Sequence, residues 1–268
     1  MAPMDVRLGG AFGYGVLAAL TKCVGAVTFE DADDDPYRHS RFRQYFEGSL
    51  ERDLGNRVVL DFGCGRGADA VVAALAGAAH VYGVDINEPH LEIARRMARE
   101  RGVGDRCTFI NAGDVDAYRA LAGTIDVVIS VDAFEHFGDP AAILAEIRRL
   151  LTPAGTLLLS FGPPWKHPYG AHMNHFNRMP WIHFLFAEKT ILAVRKAYLD
   201  DGARRFEDVT GGLNRMTVAR FERVVREGGF VFDDFEAVPI KGLRALAKNR
   251  LTREYFTSIV RARLLKAG

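Results

Sequence analysis

The sequence predicts an α/β domain built on a mostly parallel sheet with helices on both faces. Short apolar runs alternate with amphipathic helical stretches from Val58 onward. The runs are apolar throughout rather than alternating, as strands buried on both faces must be. The first of them breaks into a glycine loop, Asp61-Phe62-Gly63-Cys64-Gly65-Arg66-Gly67, and then into a helix. In such sheets ligands bind beyond the carboxyl ends of the strands.

The elements follow in order. Ala11 to Phe29 is largely apolar, with Leu17, Ala18, Ala19, Leu20, Val24 and Val27, but Lys22 and several glycines interrupt it. It lacks the uninterrupted apolar length that a span requires, and it reads as a helix or two covering the ligand crevice rather than a surface anchor. Asp31 to Pro36 is an acidic hinge, and Tyr37 to Phe46 mixes basic and aromatic residues as an amphipathic helix would. Strands are expected at Arg57–Leu60, His80–Val84, Cys107–Ile110, Ile125–Ser130 and Gly155–Phe161. Helices are expected between them at Ala68–Ala76, Pro89–Arg101, Val115–Leu121 and Ala141–Leu151. A helix at Glu188–Leu199, a loop at Asp200–Asn214 and a helix at Val218–Glu227 ending on Gly228-Gly229 precede a strand at Phe230–Val238. A basic helical stretch, Leu243–Asn249, and alternating residues Phe256–Leu265 complete the chain, with no internal repeat.

At 268 residues the chain suits one α/β domain with a cap. The expected division is a helical cover over 1–50, a cofactor core over 57–161, an acceptor-binding insertion over 162–217, and C-terminal helix and strands over 218–268. The formal net charge is +1 and the cations are dispersed, which disfavours a nucleic-acid partner. Cys23, Cys64 and Cys107 are far apart and form no Cys-x-x-Cys pair, as expected of a protein in a reducing cytoplasm. A small molecule is the expected partner, and a homodimer is compatible with the chain.

Gly63, Gly65 and Gly67 allow backbone to approach a ligand where a Cβ would collide, and the amides of the following helix point into the same crevice. A bare glycine turn is the plain alternative. A dinucleotide loop is the stronger one, since Gly63, Gly65 and Ala68 satisfy G-x-G-x-x-A and Asp85 lies where a ribose-binding acid would. Asp61, two residues before the first glycine, favours a ligand with a cationic amino-acid tail over a pyrophosphate. Asp85 could accept both ribose hydroxyls, and Asp114 could accept from an exocyclic amine or cap a helix starting near Val115.

These landmarks resemble the core of class I S-adenosylmethionine-dependent methyltransferases over Val58–Phe161. Val81-Tyr82-Gly83-Val84-Asp85-Ile86 is similar to that family's second strand, and Ile110-Asn111-Ala112-Gly113-Asp114-Val115 to its adenine-binding segment. Ile125 to His136 resembles its fourth strand with a Glu-His signature, and Leu151 to Leu157 its fifth strand with a Pro-x-Gly entry. The resemblance implies a Rossmann-like seven-stranded sheet whose last strand is antiparallel, inserted beside its predecessor. It implies S-adenosylmethionine as cofactor, held by Asp61, Gly63, Gly65, Gly67, Asp85, Ile86, Asp114, Val115 and Ser130. It also suggests Tyr37 or a nearby arginine beside the methionine carboxylate.

Methyl transfer is an in-line displacement that needs a base only where the acceptor carries a proton. His136, just past the fourth strand, is the candidate base for a hydroxyl acceptor. The stretch from Gly162 to His183 holds four of the eight histidines among aromatics and prolines. It reads as an acceptor-binding lid with His167, His172 and His175 as polar contacts, or as a purely packed insertion. Those three histidines could alternatively hold a hydroxyl-orienting metal, although their spacing matches no helical ligand pair. Asn214, in Gly211–Thr217, could touch substrate, or with Thr217 cap the helix from Val218. The expected activity is methylation of a small molecule, O-methylation ahead of C- or N-methylation. A nicotinamide oxidoreductase and a non-catalytic binding module are the alternatives from other classes.

Overall fold

The computed structural model describes residues 7–25, 37, 40–209 and 211–267. Two helices, α1 (Gly10–Val24) and α2 (Arg41–Leu54), precede the sheet. β1 (Val58–Phe62), α3 (Ala68–Leu75), β2 (His80–Asp85), α4 (Glu88–Glu100), β3 (Cys107–Asn111), α5 (Val115–Arg119), β4 (Ile125–Ser130), α6 (Pro140–Leu150) and β5 (Leu151–Phe161) form the alternating core. The insertion carries α7 (Ile182–Leu185) and α8 (Glu188–Arg195). Then come α9 (Val218–Glu227), β6 (Phe230–Pro239), α10 (Arg244–Lys248), α11 (Arg253–Phe256) and β7 (Thr257–Lys266). The acidic hinge Asp31–Pro36 lies outside the described residues.

The sheet has seven strands in the order β3-β2-β1-β4-β5-β7-β6. β1 to β5 pair in parallel, and β7 runs antiparallel to both neighbours, between β5 and β6. This is the architecture the resemblance implies. The chain leaves β1 in opposite directions towards β2 and β4, so a crevice opens at their carboxyl ends.

Apolar burial explains the layers. Phe42, Leu54, Val71 and Leu91 from α2, α3 and α4 pack on one face of the sheet. Leu144, Ile147, Phe221 and Val225 from α6 and α9 pack on the other. Asn87 and Asp139 each cap a helix that carries proline in its first turn, which fixes the starts of α4 and α6. β5 starts earlier than its glycine entry suggests. Ile125 pairs with Leu151 but Val127 with Thr156, so Thr152-Pro153-Ala154-Gly155 bulge out of the ladder.

The N-terminal cover divides in two. Leu17 of α1 is buried with Ala171, Phe176, Ile191 and Phe206, a third apolar cluster belonging to the insertion. α2 instead joins the sheet. α1 therefore packs against the insertion, chiefly on α8. No helix among the described residues is long and apolar enough to cross a membrane.

Candidate functional site

The glycine loop hangs from the second strand. The Gly63 and Cys64 amides donate to the Val84 carbonyl at 2.8 and 3.0 Å, and the Gly67 amide donates to the Cys64 carbonyl at 2.8 Å. Gly67 has φ +82°, and a Cβ there would lie 2.4 Å from the Ala94 Cβ. Gly65, at φ +51°, faces open space. Gly67→Ala should therefore lower stability by about 2–4 kcal/mol and Gly65→Ala by about 1–2 kcal/mol. Urea unfolding of the two variants checks this, and equal losses would show that the contact with α4 is unimportant.

Carboxylates surround the loop. Asp61 is 2 % exposed, and its Oδ2 has no partner. Burial drives its carboxyl well above the usual range, Asp69 and then Asp85 add to the shift, and a backbone hydrogen bond from Ala70 opposes it. Asp85 accepts from the Gly65 amide through Oδ2 and from the Asn87 amide through Oδ1, both at 2.8 Å. A carboxylate has about four lone-pair sites, so each oxygen can still accept one ribose hydroxyl. Ile86 follows with 81 % of its surface exposed, an apolar face beside that carboxylate.

Asp114 is exposed and caps α5, its Oδ1 accepting from the Ala117 amide at 3.2 Å. Its capping role is filled, and its second oxygen is left for a ligand. Val115, half-buried, begins that helix. Ser130 departs from the expectation. It is fully buried and its hydroxyl donates to the Phe62 carbonyl at 3.0 Å, so it ties β4 to β1 beneath the loop instead of contacting a ligand. Tyr37 has the Arg101 guanidinium 4.2 Å from its ring centroid and Arg43 hydrogen-bonded to its hydroxyl.

Three further acids lie outside the candidate residues read from the sequence, although Glu135 belongs to the Glu-His signature. Asp69 accepts from the Ser40 hydroxyl at 2.6 Å and the Phe42 amide at 3.2 Å, which docks the start of α2 on the start of α3. Burial raises its carboxyl to about 6. Asp132, at φ +49°, accepts from the Ser160 hydroxyl at 3.1 Å. Burial raises it too, while Ser160, Arg41, His136 and Tyr45 pull it back. Glu135 is buried with Oε1 accepting from the Gly162 amide at 2.9 Å and Oε2 unpartnered. Burial pushes it to about 8. The available signals were Asp69 directly behind the glycine loop and the Asp-x-x-Glu-His spacing of 132–136.

The histidines separate into two groups. His136, His172 and His175 line one cavity of about 290 Å³ with Met173, Val209 and Leu213. His136 Nδ1 lies 2.7 Å from the Gly212 carbonyl. A carbonyl only accepts, so Nδ1 carries the proton and Nε2 keeps its lone pair. The His172 ring stands edge-on to it with centroids 5.6 Å apart, and burial lowers His172 to about 4. His175 Nδ1 donates to the His172 carbonyl at 3.3 Å, leaving a buried Nε2 without a partner.

His167 belongs to the other group, against expectation. It does not line the cavity, and its Nδ1 accepts from the Tyr169 amide at 3.1 Å, so it fixes the loop. His183 similarly donates to the Trp165 carbonyl at 2.7 Å from a buried position. Each of these rings spends one nitrogen on a backbone group. Among the described residues no three His, Cys, Asp or Glu side chains are grouped to hold a metal ion. Asn214 does not reach towards the cavity as a substrate contact would. Its Nδ2 donates to the Phe134 and Phe137 carbonyls at 2.7 and 2.9 Å and clasps the Glu135-His136 turn, while Thr217 caps α9.

The fold and the carboxylate-lined glycine loop define a nucleoside-cofactor domain of the Rossmann-like class. Residues 59–155 match the family described as a methyltransferase domain. A ubiquinone biosynthesis O-methyltransferase of Thiobacillus denitrificans is 37 % identical over 107 residues, 40 % of this chain and 45 % of that one. A relative of the same description from Neisseria meningitidis serogroup A is 37 % identical over 119 residues, 43 % and 48 % of the two chains. The chain thus spans about half the length of the curated relatives it matches. The crystal structure of an S-adenosylmethionine-dependent methyltransferase from Mesorhizobium loti superposes with a TM-score of 0.55 at 20 % identity, covering 81 % of this chain and 95 % of that one. Residues 59–155 thus match a methyltransferase domain, and the likeness to the Mesorhizobium loti enzyme is one of fold.

Proposed function

We propose that this protein transfers a methyl group from S-adenosylmethionine to a hydroxyl of a small-molecule acceptor, acting in the cytoplasm. The observation that carries the choice of a hydroxyl is His136, whose Nδ1–H is anchored on Gly212 so that a basic Nε2 remains at the acceptor cavity. The names of the curated relatives, O-methyltransferases of ubiquinone biosynthesis, support the same acceptor atom.

The residues present fit the cofactor. The unpartnered Asp61 Oδ2 suits an ammonium, the Gly65 backbone faces open space, and Ile86 offers an apolar face next to Asp85. When bound, the cofactor supplies a methyl group on a cationic sulfur. Asp61 would hold its ammonium and Asp85 its ribose hydroxyls, and a cationic ligand would draw the raised acids of the crevice towards ionisation. His136 takes the hydroxyl proton as the acceptor oxygen attacks, and His172 and His175, uncharged at neutral pH, contribute polar contacts without competing cationic charge.

Calorimetric titration with S-adenosylhomocysteine and with a nicotinamide dinucleotide tests the cofactor, and tight binding to the dinucleotide alone would overturn the proposal. Asp61→Asn keeps the shape and removes the charge, so it should weaken S-adenosylhomocysteine about 10- to 100-fold. Unchanged affinity would remove Asp61 from the site. A labelled-methyl screen over hydroxyl, amine and carbon acids tests the acceptor, and product from amines or carbon acids alone would reassign the reaction.

A further inference from the structure

The connection between β6 and β7 has a composition that neither the cofactor core nor the acceptor cavity uses. Between Glu236 and Glu254 the sequence contains Lys241, Arg244, Lys248, Arg250 and Arg253 and no acidic residue. Arg253 is paired with Glu222 at 2.8 Å. Glu254 is buried and spent on the Val218 and Ala219 amides. Lys241, Arg244, Lys248 and Arg250 are exposed and, among the described residues, make no ion pair. Their charge is therefore uncompensated locally.

Apolar side chains stand among these cations. Leu251 is 84 % exposed, and Leu246 and Tyr255 are exposed beside it on α10 and α11. The patch continues onto the insertion, where the Tyr255 ring lies 6.4 Å from that of Phe184 and Leu185 is half exposed. A monomer gains nothing from leucines in water at the centre of a cationic loop. Single exposed apolar residues are ordinary, but a continuous set ringed by unpaired cations marks an interaction surface.

Topology places this surface. β6 runs parallel to β1–β5, so its end at Pro239 lies on the sheet edge where the strands carrying the glycine loop and Asp85 also end. The 240–256 excursion stands on the same edge as the crevice.

We propose that residues 241–255, with Phe184 and Leu185, dock this protein on an anionic lipid bilayer surface. Cations reach the headgroups while Leu246, Leu251 and Tyr255 enter the interface, the division of labour of interfacial amphipathic segments. A nucleic acid would use the cations but leave the leucines in water, and an acidic protein partner would not need them at the apex. No spanning segment is required. Each Lys or Arg near an anionic leaflet improves partitioning about fivefold, so four unpaired cations and several apolar contacts suffice for reversible binding.

Vesicle flotation with the full chain tests this, using phosphatidylglycerol mixed with phosphatidylcholine against phosphatidylcholine alone. Binding should occur on the mixed vesicles, be weak on the neutral ones and decline at high salt. Lys248→Glu/Arg250→Glu and, independently, Leu246→Ser/Leu251→Ser should each reduce it at least about tenfold. These positions are exposed and outside the site, so S-adenosylhomocysteine affinity should be unchanged in both variants, which also shows that they are folded. No flotation on the anionic vesicles overturns the proposal, as does binding that survives both double substitutions. Retention on a nucleic-acid duplex, or self-association abolished by Leu246→Ser/Leu251→Ser, with no vesicle binding would reassign the surface.

Discussion

Replacing His136 by alanine is expected to lower kcat about 10²- to 10⁴-fold, the usual contribution of a positioned general base, with S-adenosylhomocysteine affinity unaltered. The proposed role fits the way the imidazole is held. Its Nδ1–H is engaged by the Gly212 carbonyl at 2.7 Å, and a Cβ on the neighbouring Gly211 would lie 3.4 Å from Nδ1, so the 211–212 turn closes against the ring edge. Asn214 fastens the same loop to the carbonyls on either side of the Glu135-His136 turn. The tautomer and the ring direction are fixed before an acceptor arrives, which is what in-line transfer requires of a base. His167→Ala supplies the contrast, because His167 is outside the cavity and bonded to its own loop. It should cost stability with little change in kcat. Steady-state rates on the acceptor found by the methyl screen decide the matter. If folded His136→Ala turns over at the wild-type rate, His136 is a packing residue and the acceptor oxygen loses its proton elsewhere.

The strands of the core were legible because their apolar runs are short, unbroken and bounded by glycine, asparagine or aspartate, and only a doubly covered sheet requires that pattern. At their ends Gly63, Gly65, Gly67, Asp61 and Asp85 stand out as candidates because backbone conformation or charge restricts the residue type there. Other features depend on burial and partner choice, which spacing does not encode. An apolar helix such as α1 announces that it will be covered, but not that Ala171, Phe176 and Ile191 will cover it. Ser130 at a strand end suggests a ligand contact until the Phe62 carbonyl takes its proton. The histidines from His167 to His183 looked like one cluster because they are close in sequence. Left-handed turns at His172 and Trp181 send the rings apart, two onto the cavity and two onto backbone. Asp69, Asp132 and Glu135 resemble surface acids in sequence, and their significance comes from being enclosed together.

That enclosure should make the ligand-free protein lose stability as pH rises. The Glu135 carboxyl moves from 4.5 to about 8 through burial. The folded chain therefore keeps a proton that the unfolded chain gives up near pH 4.5. Where the native state binds more protons, stability falls with rising pH, so the contribution is complete below about pH 4.5 and is lost as pH passes about 8. A displacement of this size is worth about 3–5 kcal/mol between those limits. Asp61, Asp69 and Asp132 are displaced the same way and add to the slope. Glu135→Gln retains an oxygen for the Gly162 amide and removes the ionisation. It should match the wild type near pH 5 and exceed it by about 3–5 kcal/mol near pH 9, with the slope due to the three aspartates remaining. Urea unfolding across that range gives the answer, and an identical pH dependence in the variant would mean that Glu135 ionises freely. A stabilising substitution at the residue beside His136 implies that the acid is kept for what it does at the crevice. Through Gly162 it ties the start of the insertion to the turn that carries His136, and an ionised Glu135 would add to the negative charge that the proposed cationic cofactor would neutralise on binding.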